Sequence, residues 1–341
     1  MSKTRLNVGL IGAGRIGRVH AEHLTTRVRQ ARLVAIADVN EAAARGCAAE
    51  RDVSTVFTDH RHVLDHPDVD AVLICSVTNT HAQIIEEAAA AGKHIFCEKP
   101  IDFELARIDR ALAAVDKAGV KLQIGFNRRF DANHRRIRQA VEQGEIGELR
   151  RVHIVSRDPA PLPEEYIRGS GGLFVDMTIH DFDMARFLIG HEVDEVYAVA
   201  GVMVDESYRR AGDVDTAVTI LKFENGVTAT IDNCRQSAFG YDQRVEAFGS
   251  GGSIQSDNQY PNATVISGAD SVRRDLPLNF FMDRYKESFA VEMDAFVQAV
   301  VDGQLPAPTG TDGRIAVVLG LAARRSVSEN RPVRINEIEG A

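Results

Sequence analysis

The segment Gly12-Ala13-Gly14-Arg15-Ile16-Gly17 constrains the fold of this chain more than any other. It follows the apolar run Leu6 to Ile11, which predicts a buried strand, and it opens the run Ile16 to Val28, which predicts a helix. Between such a strand and helix, the first glycine permits the tight turn and the second lets a ligand approach the backbone. The third lets the helix and the strand pack closely. The segment therefore predicts the first βαβ unit of a doubly wound sheet.

The start of the predicted helix favours a bound phosphate, because its unpaired N–H groups and its positive dipole end attract an anion. Arg15 either adds positive charge there or is a solvated helix residue. Asp38 follows the next predicted strand, Leu33 to Ala37, and lies 21 residues after Gly17. A carboxylate at that point accepts hydrogen bonds from the ribose of a dinucleotide and repels a 2′-phosphate. The alternative for Asp38 is an N-cap of the helix that begins at Glu41.

No arginine follows Asp38 immediately, so the sequence predicts NAD rather than NADP as the cofactor. The cofactor contacts predicted from this region are Gly12, Gly14, Arg15, Ile16, Gly17 and Asp38.

The chain divides into two regions that differ in their pattern of apolar and polar residues. Residues 5–120 alternate strand-like apolar runs with Ala-rich helical runs, which is typical of a parallel sheet covered by helices. After residue 125 alternating segments predominate, and Glu224-Asn225-Gly226 carries the turn signal of a hairpin. We predict a Rossmann domain over 1–125 and a largely antiparallel α+β domain over 126–341. Two amphipathic helices, Arg284 to Val301 and Asp312 to Ser328, close the second region and are free to pack back on the first.

Charge and composition narrow the class of partner. The formal net charge of -9 argues against nucleic acid and against an anionic membrane, because both require a basic face. The net charge therefore favours a small-molecule ligand. With 44% hydrophobic and 26% charged residues the composition is that of an ordinary globular protein.

The four cysteines, Cys47, Cys75, Cys97 and Cys234, are scattered and form no C-x-x-C pair. No histidine cluster has the spacing of a metal site, so we expect neither disulfides nor zinc, and we expect the thiols to be reduced and buried. The segment Met1 to Asn7 lacks the apolar core of a signal peptide, and no apolar run is long enough to span a bilayer. We therefore expect a cytoplasmic protein.

Polar groups follow two of the predicted parallel strands. Glu98-Lys99-Pro100 comes directly after the strand His94 to Cys97, at the edge of the sheet where ligands bind. Lys99 there would hydrogen-bond a substrate hydroxyl and stabilise a developing alkoxide; the alternative is a surface lysine in a proline turn. The loop Ser76 to His81 follows another strand, and His81 either contacts the cofactor or simply caps or packs. The candidate cofactor contacts in these two loops are Ser76, Thr78, His81 and Glu98.

Asp176 and His180 are four residues apart, so on one helix they would share a face. Asp176 would then orient the imidazole and stabilise its cation, while neutral His180 takes the proton of a hydroxyl as hydride leaves the same carbon. The alternative is an acid that interacts with the helix dipole and a structural histidine.

The Gly-rich turn, Glu98-Lys99-Pro100, the segment Gly125 to Asp131 and the segment Asp176 to His180 together resemble the Gfo/Idh/MocA family of oxidoreductases. The likeness covers nearly the whole chain. Three stretches look most like the bacterial inositol-oxidising members of that family: Ser156-Arg157-Asp158-Pro159, Asp176 to Asp181 and Gly240 to Arg244.

The resemblance implies a Rossmann domain followed by an open sheet used for substrate binding and oligomerisation, usually in a homotetramer. It implies that Lys99, Asp176 and His180 form the catalytic set and contact the substrate, without a metal. The further residues that it implies are Asn127 and Tyr285 as cofactor contacts, and Arg128, Ser156, Asp158 and Tyr241 as polyol contacts.

The activity implied is NAD-dependent oxidation of a secondary hydroxyl of a cyclic polyol, such as myo-inositol to 2-keto-myo-inositol. One alternative is a dehydrogenase of another inositol isomer or of a sugar. Another is a non-catalytic protein that senses the NAD to NADH ratio, although such a sensor has no use for a base beside the nicotinamide.

Overall fold

The computed structural model describes residues 5–339, and the chain divides into two compact units. The first unit runs to Phe130 and also contains Glu287–Val317. The second comprises Asp131–Lys286 and the chain from Val318 onward. The observed boundary therefore differs from a single division after residue 125, because each unit is built from two segments that are distant in sequence.

The first unit contains a sheet of six parallel strands in the order β3-β2-β1-β4-β5-β6, flanked by helices. The order reverses between β1 and β4, and such a reversal creates a crevice at the carboxyl ends of the strands. The elements are β1 (Leu6–Ile11), α1 (Arg15–Thr26), β2 (Ala31–Ala37), α2 (Glu41–Glu50), β3 (Val56–Phe57), α3 (Arg61–Leu64), β4 (Ala71–Ile74), α4 (His81–Ala90), β5 (His94–Glu98), α5 (Leu105–Ala118) and β6 (Leu122–Gly125). Short 3-10 turns follow β4 at Thr78–Thr80 and β6 at Asn127–Phe130.

The central strands of this sheet are buried on both faces, as their continuous apolar sequences predict. Every residue of β4 is buried. Leu10 and Phe96 belong to one core cluster with Met293 and Phe296, which come from the segment Glu287–Val317. The Rossmann fold is confirmed, and its core includes side chains from near the C-terminus.

The second unit contains a seven-stranded sheet and a separate two-stranded hairpin. Its elements up to the last short helix before residue 286 are α6 (Ala132–Glu142), β7 (Leu149–Arg157), α7 (Glu164–Gly169), α8 (Leu173–Asp176), α9 (Ile179–Ile189), β8 (Val193–Gly201), α10 (Glu206–Arg210), β9 (Thr216–Phe223), β10 (Thr228–Cys234), β11 (Asp242–Gly249), β12 (Gly252–Ser256), β13 (Val265–Ser267), β14 (Val272–Arg274) and α11 (Phe281–Arg284). The chain ends with α12 (Lys286–Val301), α13 (Gly310–Glu329), β15 (Val333–Arg334) and α14 (Asn336–Glu339).

The strand order of the large sheet is β12-β11-β7-β10-β9-β8-β15. All neighbouring strands are antiparallel except β7 and β10, which are parallel. The expected hairpin joins β9 and β10, and Gly226 adopts a φ of +84° in its turn. Burial alternates along β9 and β10, so one face of the sheet is packed and the other is partly exposed. The mainly antiparallel sheet is therefore confirmed.

Two details differ from the sequence-based expectations. The helix predicted over Arg284 to Val301 begins at Lys286, because Arg284 ends the short helix α11 and the backbone of Tyr285 between them is not helical. The ring of Tyr285 is buried and packs edge-to-face on Tyr241, with centroids 6.1 Å apart. All four cysteines are free thiols, but Cys234 is only half-buried, since it lies at the end of β10 on the partly exposed face.

No helix within residues 5–339 is both long and apolar enough to cross a lipid bilayer. Over the same residues, no group of three or more His, Cys, Asp or Glu side chains is arranged to hold a metal ion.

Candidate active site

The glycines of the N-terminal turn have different surroundings. Gly12 has a φ of +97°, and a Cβ added there would lie 2.5 Å from the backbone of Cys75. A Cβ on Gly17 would lie 2.0 Å from the carbonyl oxygen of Gly12. At Gly14, by contrast, no heavy atom of the described residues other than its chain neighbours lies within 4 Å of the Cβ position. The first and third glycines are therefore required by protein packing, whereas the second faces open space, as expected where a ligand approaches the backbone.

Helix α1 begins directly after Gly14, at the carboxyl end of β1. Gly14 is the N-cap, no described side chain caps the helix, and its first turn contains no acidic residue. Arg15 is exposed in this first turn and Ile16 is half-buried. An uncapped helix start without a negative charge suits the phosphates of a dinucleotide.

Asp38 directly follows β2 and accepts a hydrogen bond from the Gly-rich turn. Its Oδ2 atom accepts a hydrogen bond from the backbone N–H of Ala13 at 2.7 Å, and its Oδ1 atom accepts one from the N–H of Asn40 at 2.8 Å. The N-cap of α2 is Asn40 rather than Asp38. The half-buried carboxylate thus lies against the turn, and a ribose contact there stays a prediction.

The loop after β4 is tied to the loop after β5 by a histidine. His81 is buried, and its Nδ1 and Nε2 atoms lie 2.8 Å and 3.0 Å from the carbonyl oxygens of Pro100 and Ser76. Burial lowers the pKa of His81. The hydroxyl of Ser76 lies 2.7 Å from that of Thr80, and Thr78 begins the short turn between them. These contacts favour the structural alternative for His81 and leave Ser76 and Thr78 at the edge of the sheet.

Glu98 ends β5 and is paired with a histidine that sequence reasoning missed. The Nε2 atom of fully buried His20 lies 2.6 Å from Oε1 of Glu98. A Cβ on Gly125, which pairs with Glu98 in the sheet, would lie 2.9 Å from the Oε2 atom. Gly125 therefore provides the space for this carboxylate. Lys99 comes next in the chain and is partly exposed at the carboxyl end of β5.

The turn after β6 contains Asn127 and Arg128, both of which are buried. The Nδ2 atom of Asn127 lies 3.4 Å from the hydroxyl oxygen of Ser288. The first unit therefore brings most of the predicted cofactor contacts to the carboxyl ends of its strands.

In the second unit the predicted residues Asp158 and Asp176 meet at a buried arginine that was not predicted. The Nη1 atom of Arg235 donates to Oδ2 of Asp158 at 3.0 Å, and its Nη2 atom donates to Oδ2 of Asp176 at 2.7 Å. The Arg235 side chain is 3% exposed. Burial opposes the charge of Arg235, but the fields of Asp176 and Asp158 raise its pKa further above the usual value.

The expectation that Asp176 and His180 share one helix is wrong. Asp176 is the last residue of α8, and His180 lies in the first turn of α9. The helix is interrupted at Met177 and Thr178, and the hydroxyl of Thr178 donates to Oδ1 of Asn233 at 2.7 Å. Met177 and Thr178 keep right-handed backbone angles, but the N–H of Thr178 bonds the carbonyl of Leu173, five residues back, so the regular helical register ends there. The four-residue spacing could not reveal this break.

Asn233 fixes the residues on both sides of His180. Besides the bond from Thr178, its Nδ2 atom donates to Oδ2 of Asp181 at 2.8 Å. Asn233, Thr178 and Asp181 are all fully buried, whereas His180 is partly exposed. The start of α9 is therefore anchored to the sheet, and the imidazole is presented from a rigid base.

The remaining predicted residues cluster around Gln243 of β11. The hydroxyl oxygen of fully buried Ser156 lies 3.1 Å from Nε2 of Gln243, and the hydroxyl of Tyr285 donates to its Oε1 at 3.3 Å. Tyr241 packs edge-to-face on Tyr285, and both rings are buried. Sequence reasoning missed Gln243, because its position among alternating strand residues gave no signal of its own.

A parallel doubly wound sheet with this turn where the strand order reverses defines a dinucleotide-binding Rossmann protein. The model of the Gfo/Idh/MocA oxidoreductase family, with its NAD-binding Rossmann fold, matches residues 6–126, and the model of the C-terminal domain of that family matches residues 134–255.

Two curated relatives match over nearly their whole length. The chain is 47% identical to the myo-inositol 2-dehydrogenase of Thermotoga maritima, over 98% of this chain and 100% of that protein. It is 46% identical to the inositol 2-dehydrogenase of Rhizobium meliloti, over 96% and 98%. A solved structure of scyllo-inositol dehydrogenase from Lactobacillus casei, with bound NAD(H) and scyllo-inositol, matches with a TM-score of 0.91 at 31% identity, over 97% and 99%. The chain belongs to the Gfo/Idh/MocA family, and it is an NAD-binding oxidoreductase.

Proposed function

We propose that this protein oxidises a secondary hydroxyl of a cyclic polyol with NAD⁺, and that its substrate is myo-inositol, which becomes 2-keto-myo-inositol. The observation that carries the proposal is the pair of carboxylates, Asp158 and Asp176, held at one buried Arg235. Carboxylates fixed in place accept hydrogen bonds from the hydroxyls of a neutral polyol. The similarity to enzymes that act on inositol over nearly the whole chain supports the same substrate class.

The residues of the first unit fit the cofactor. The open space at Gly14, the uncapped start of α1 and the carboxylate of Asp38 would hold the pyrophosphate and the adenosine ribose. Ser76, Thr78, Glu98 and Asn127 would line its remaining length, and we propose Tyr285 as a further contact. When bound, NAD⁺ supplies the acceptor for a hydride.

In the proposed reaction His180 takes the hydroxyl proton of the substrate as the C–H bond of the same carbon breaks and the carbonyl forms. Lys99 donates a hydrogen bond to the reacting oxygen and stabilises the negative charge that develops on it. Asp176 supplies a fixed negative charge that stabilises the imidazolium form of His180. Arg128, Ser156, Asp158 and Tyr241 orient the other hydroxyls of the polyol.

The test is a comparison of initial rates of NADH formation with myo-inositol, scyllo-inositol, D-chiro-inositol, glucose and xylose at one saturating NAD⁺ concentration. We expect the highest kcat/KM with myo-inositol. A higher value with glucose or xylose would reassign the enzyme to sugars, and a lack of turnover with every compound would refute the proposal.

We also propose that the protein forms a homo-oligomer, as a tetramer, through the partly exposed face of its large sheet. Val199 pairs with Val218 on this face, and Tyr197 pairs with Ile220 in the next row. Val199 and Val218 are 57% and 50% exposed, and exposed apolar residues in neighbouring strands are typical of an interface. Light scattering should give a tetramer for the wild type and a smaller species for Val218→Asp; a monomeric wild type would refute this proposal.

For the cellular location we propose the cytoplasm. The four free thiols support it, since they suit a reducing compartment. Cell fractionation of the source organism should place the protein in the cytosolic fraction, and recovery in an extracytoplasmic fraction would contradict the proposal.

A further inference from the structure

The parallel pairing of β7 and β10 in the large sheet brings Asp158 and Arg235 into contact. Asp158 follows β7 and Arg235 follows β10, and these strands form the one parallel pair of the described sheet. Parallel neighbours end at the same edge, and the N–H of Asp158 donates to the carbonyl of Cys234 at 2.9 Å. Two residues 77 positions apart are thereby fixed side by side by the backbone.

Arg235 also holds a carboxylate that comes from a helix. Its second terminal nitrogen binds Oδ2 of Asp176 at 2.7 Å, so one guanidinium addresses two acids. Two neighbouring carboxylates raise each other's affinity for a proton unless a cation lies between them. A planar guanidinium can bind both at once through separate N–H groups, which an ammonium group cannot do with the same geometry.

The other oxygen of Asp176 is held by Tyr166. The hydroxyl of Tyr166 donates to Oδ1 of Asp176 at 3.0 Å. Burial of the hydroxyl and the charge of Asp176 raise the pKa of Tyr166, so the phenol keeps its proton and remains a donor. Although its hydroxyl is held in this way, Tyr166 as a whole is 51% exposed. Both oxygens of Asp176 thus have fixed donors, which sets the plane of the carboxylate.

We propose that Arg235 is a positioning residue for substrate recognition: it fixes Asp158 and Asp176 as ionised acceptors for adjacent hydroxyls of the polyol, and Tyr166 completes the orientation of Asp176. This inference rests on the proposed function, since it assigns a role in binding the same polyol. It predicts that the loss of Arg235 impairs the polyol kinetics and leaves the binding of NAD unchanged.

The test compares Arg235→Gln, Arg235→Lys and Tyr166→Phe with a matched control, Arg186→Gln. Arg186 in α9 is also a buried arginine that binds a carboxylate through two nitrogens, with distances of 2.6 Å and 2.8 Å to Glu192. For each variant we would measure kcat and KM for myo-inositol, KM for NAD⁺, NADH binding by its fluorescence, and Tm.

For Arg235→Gln we expect kcat/KM for myo-inositol to fall about 100-fold or more, because two partly buried carboxylates lose the cation that holds them. The kcat/KM of Arg235→Lys for myo-inositol should lie between those of Arg235→Gln and the wild type. Tyr166→Phe should raise KM for myo-inositol by roughly threefold to tenfold. KM for NAD⁺ and NADH binding should stay within about twofold of wild type throughout. Arg186→Gln should lower Tm without changing the myo-inositol kinetics.

Unchanged myo-inositol kinetics in folded Arg235→Gln would overturn the inference while the proposed function stands. A parallel loss of NADH binding would also overturn it, because that result indicates a general structural role. If neither Arg235 variant folds, Tyr166→Phe decides, and an unchanged KM for myo-inositol then refutes the inference. A wild type that turns over no polyol refutes the proposed function first, and the inference with it.

Discussion

The Nε2 atom of His20 lies 2.6 Å from the Oε1 atom of Glu98, and both residues belong to the first unit. Glu98 directly precedes Lys99 in the chain. Helix α1, which starts at the Gly-rich turn, is thereby bonded to the end of β5. The His20 ring is also packed edge-on against Phe96 and Phe289, with centroids 5.1 Å and 5.7 Å away. The pair links the expected phosphate site to the strand that carries the expected catalytic lysine.

Two substitutions of His20 should distinguish the contribution of its hydrogen bond to stability from that of its ring packing. His20→Phe fills the space but leaves the buried carboxylate without this donor, so we expect the free energy of unfolding to fall by about 2 kcal/mol. His20→Gln keeps a donor at a similar reach and should restore most of the loss. Urea denaturation and kcat/KM for both substrates would test this. If the Phe variant is as active and as stable as the Gln variant, the hydrogen bond has no such role.

Two glycines of the turn can be compared: Gly17 is required by protein packing, whereas Gly14 faces the space proposed for the cofactor. Gly17→Ala places a Cβ 2.0 Å from the carbonyl oxygen of Gly12, so we expect a loss of about 3 kcal/mol in the free energy of unfolding. The added Cβ of Gly14→Ala meets no heavy atom of the described residues beyond its chain neighbours, and the φ of -72° is ordinary, so the fold should be kept. Its added methyl group should raise KM for NAD⁺ at least about tenfold by obstructing the cofactor.

Denaturation curves and NAD⁺ titrations of these two variants would check that contrast. Equal NAD⁺ affinity in Gly14→Ala and the wild type would mean that no cofactor lies against this residue.

Acid should destabilise the first unit through His23. Burial, with a smaller contribution from His20, lowers the pKa of His23 to about 4. The unfolded chain therefore binds a proton more readily than the folded one, and stability is lost as the pH falls from about 6.5 toward 4. Thermal melting between pH 7.5 and 5 should show a steeper fall in Tm for the wild type than for His23→Gln. Parallel curves for the two proteins would contradict this assignment.

The sequence predicted those parts of the site that depend on local pattern. The Gly-rich turn could be recognised because the three glycines recur at a fixed spacing between a strand and a helix, and Lys99 could be proposed because it directly follows a buried strand. Arg235 could not be predicted, since its partnership with Asp158 depends on the parallel register of β7 and β10. The pairing of His20 with Glu98 could not be predicted either, because a histidine on the buried face of a helix gives no indication of its partner.

The Asp176 to His180 segment shows where local spacing fails. The four-residue spacing predicted one helical face, but the helix is interrupted at Met177 and Thr178, where the hydroxyl of Thr178 bonds Asn233, 55 residues further on. A long-range bond of this kind is visible only once the sheet is formed. The predicted helix at Arg284 starts two residues later, at Lys286, because the backbone of Tyr285 is not helical, and this too could not be read from the sequence pattern.

The proposed oxidation of myo-inositol is tested most directly by the initial rate of NADH formation from NAD⁺ and myo-inositol in the wild type and in His180→Ala. We predict ready turnover by the wild type, and a kcat lower by about 10³ in the variant, because the base that takes the hydroxyl proton is lost. NADH binding should be equal in the two proteins. Absence of turnover in the wild type, or equal rates in the two proteins, would contradict the account.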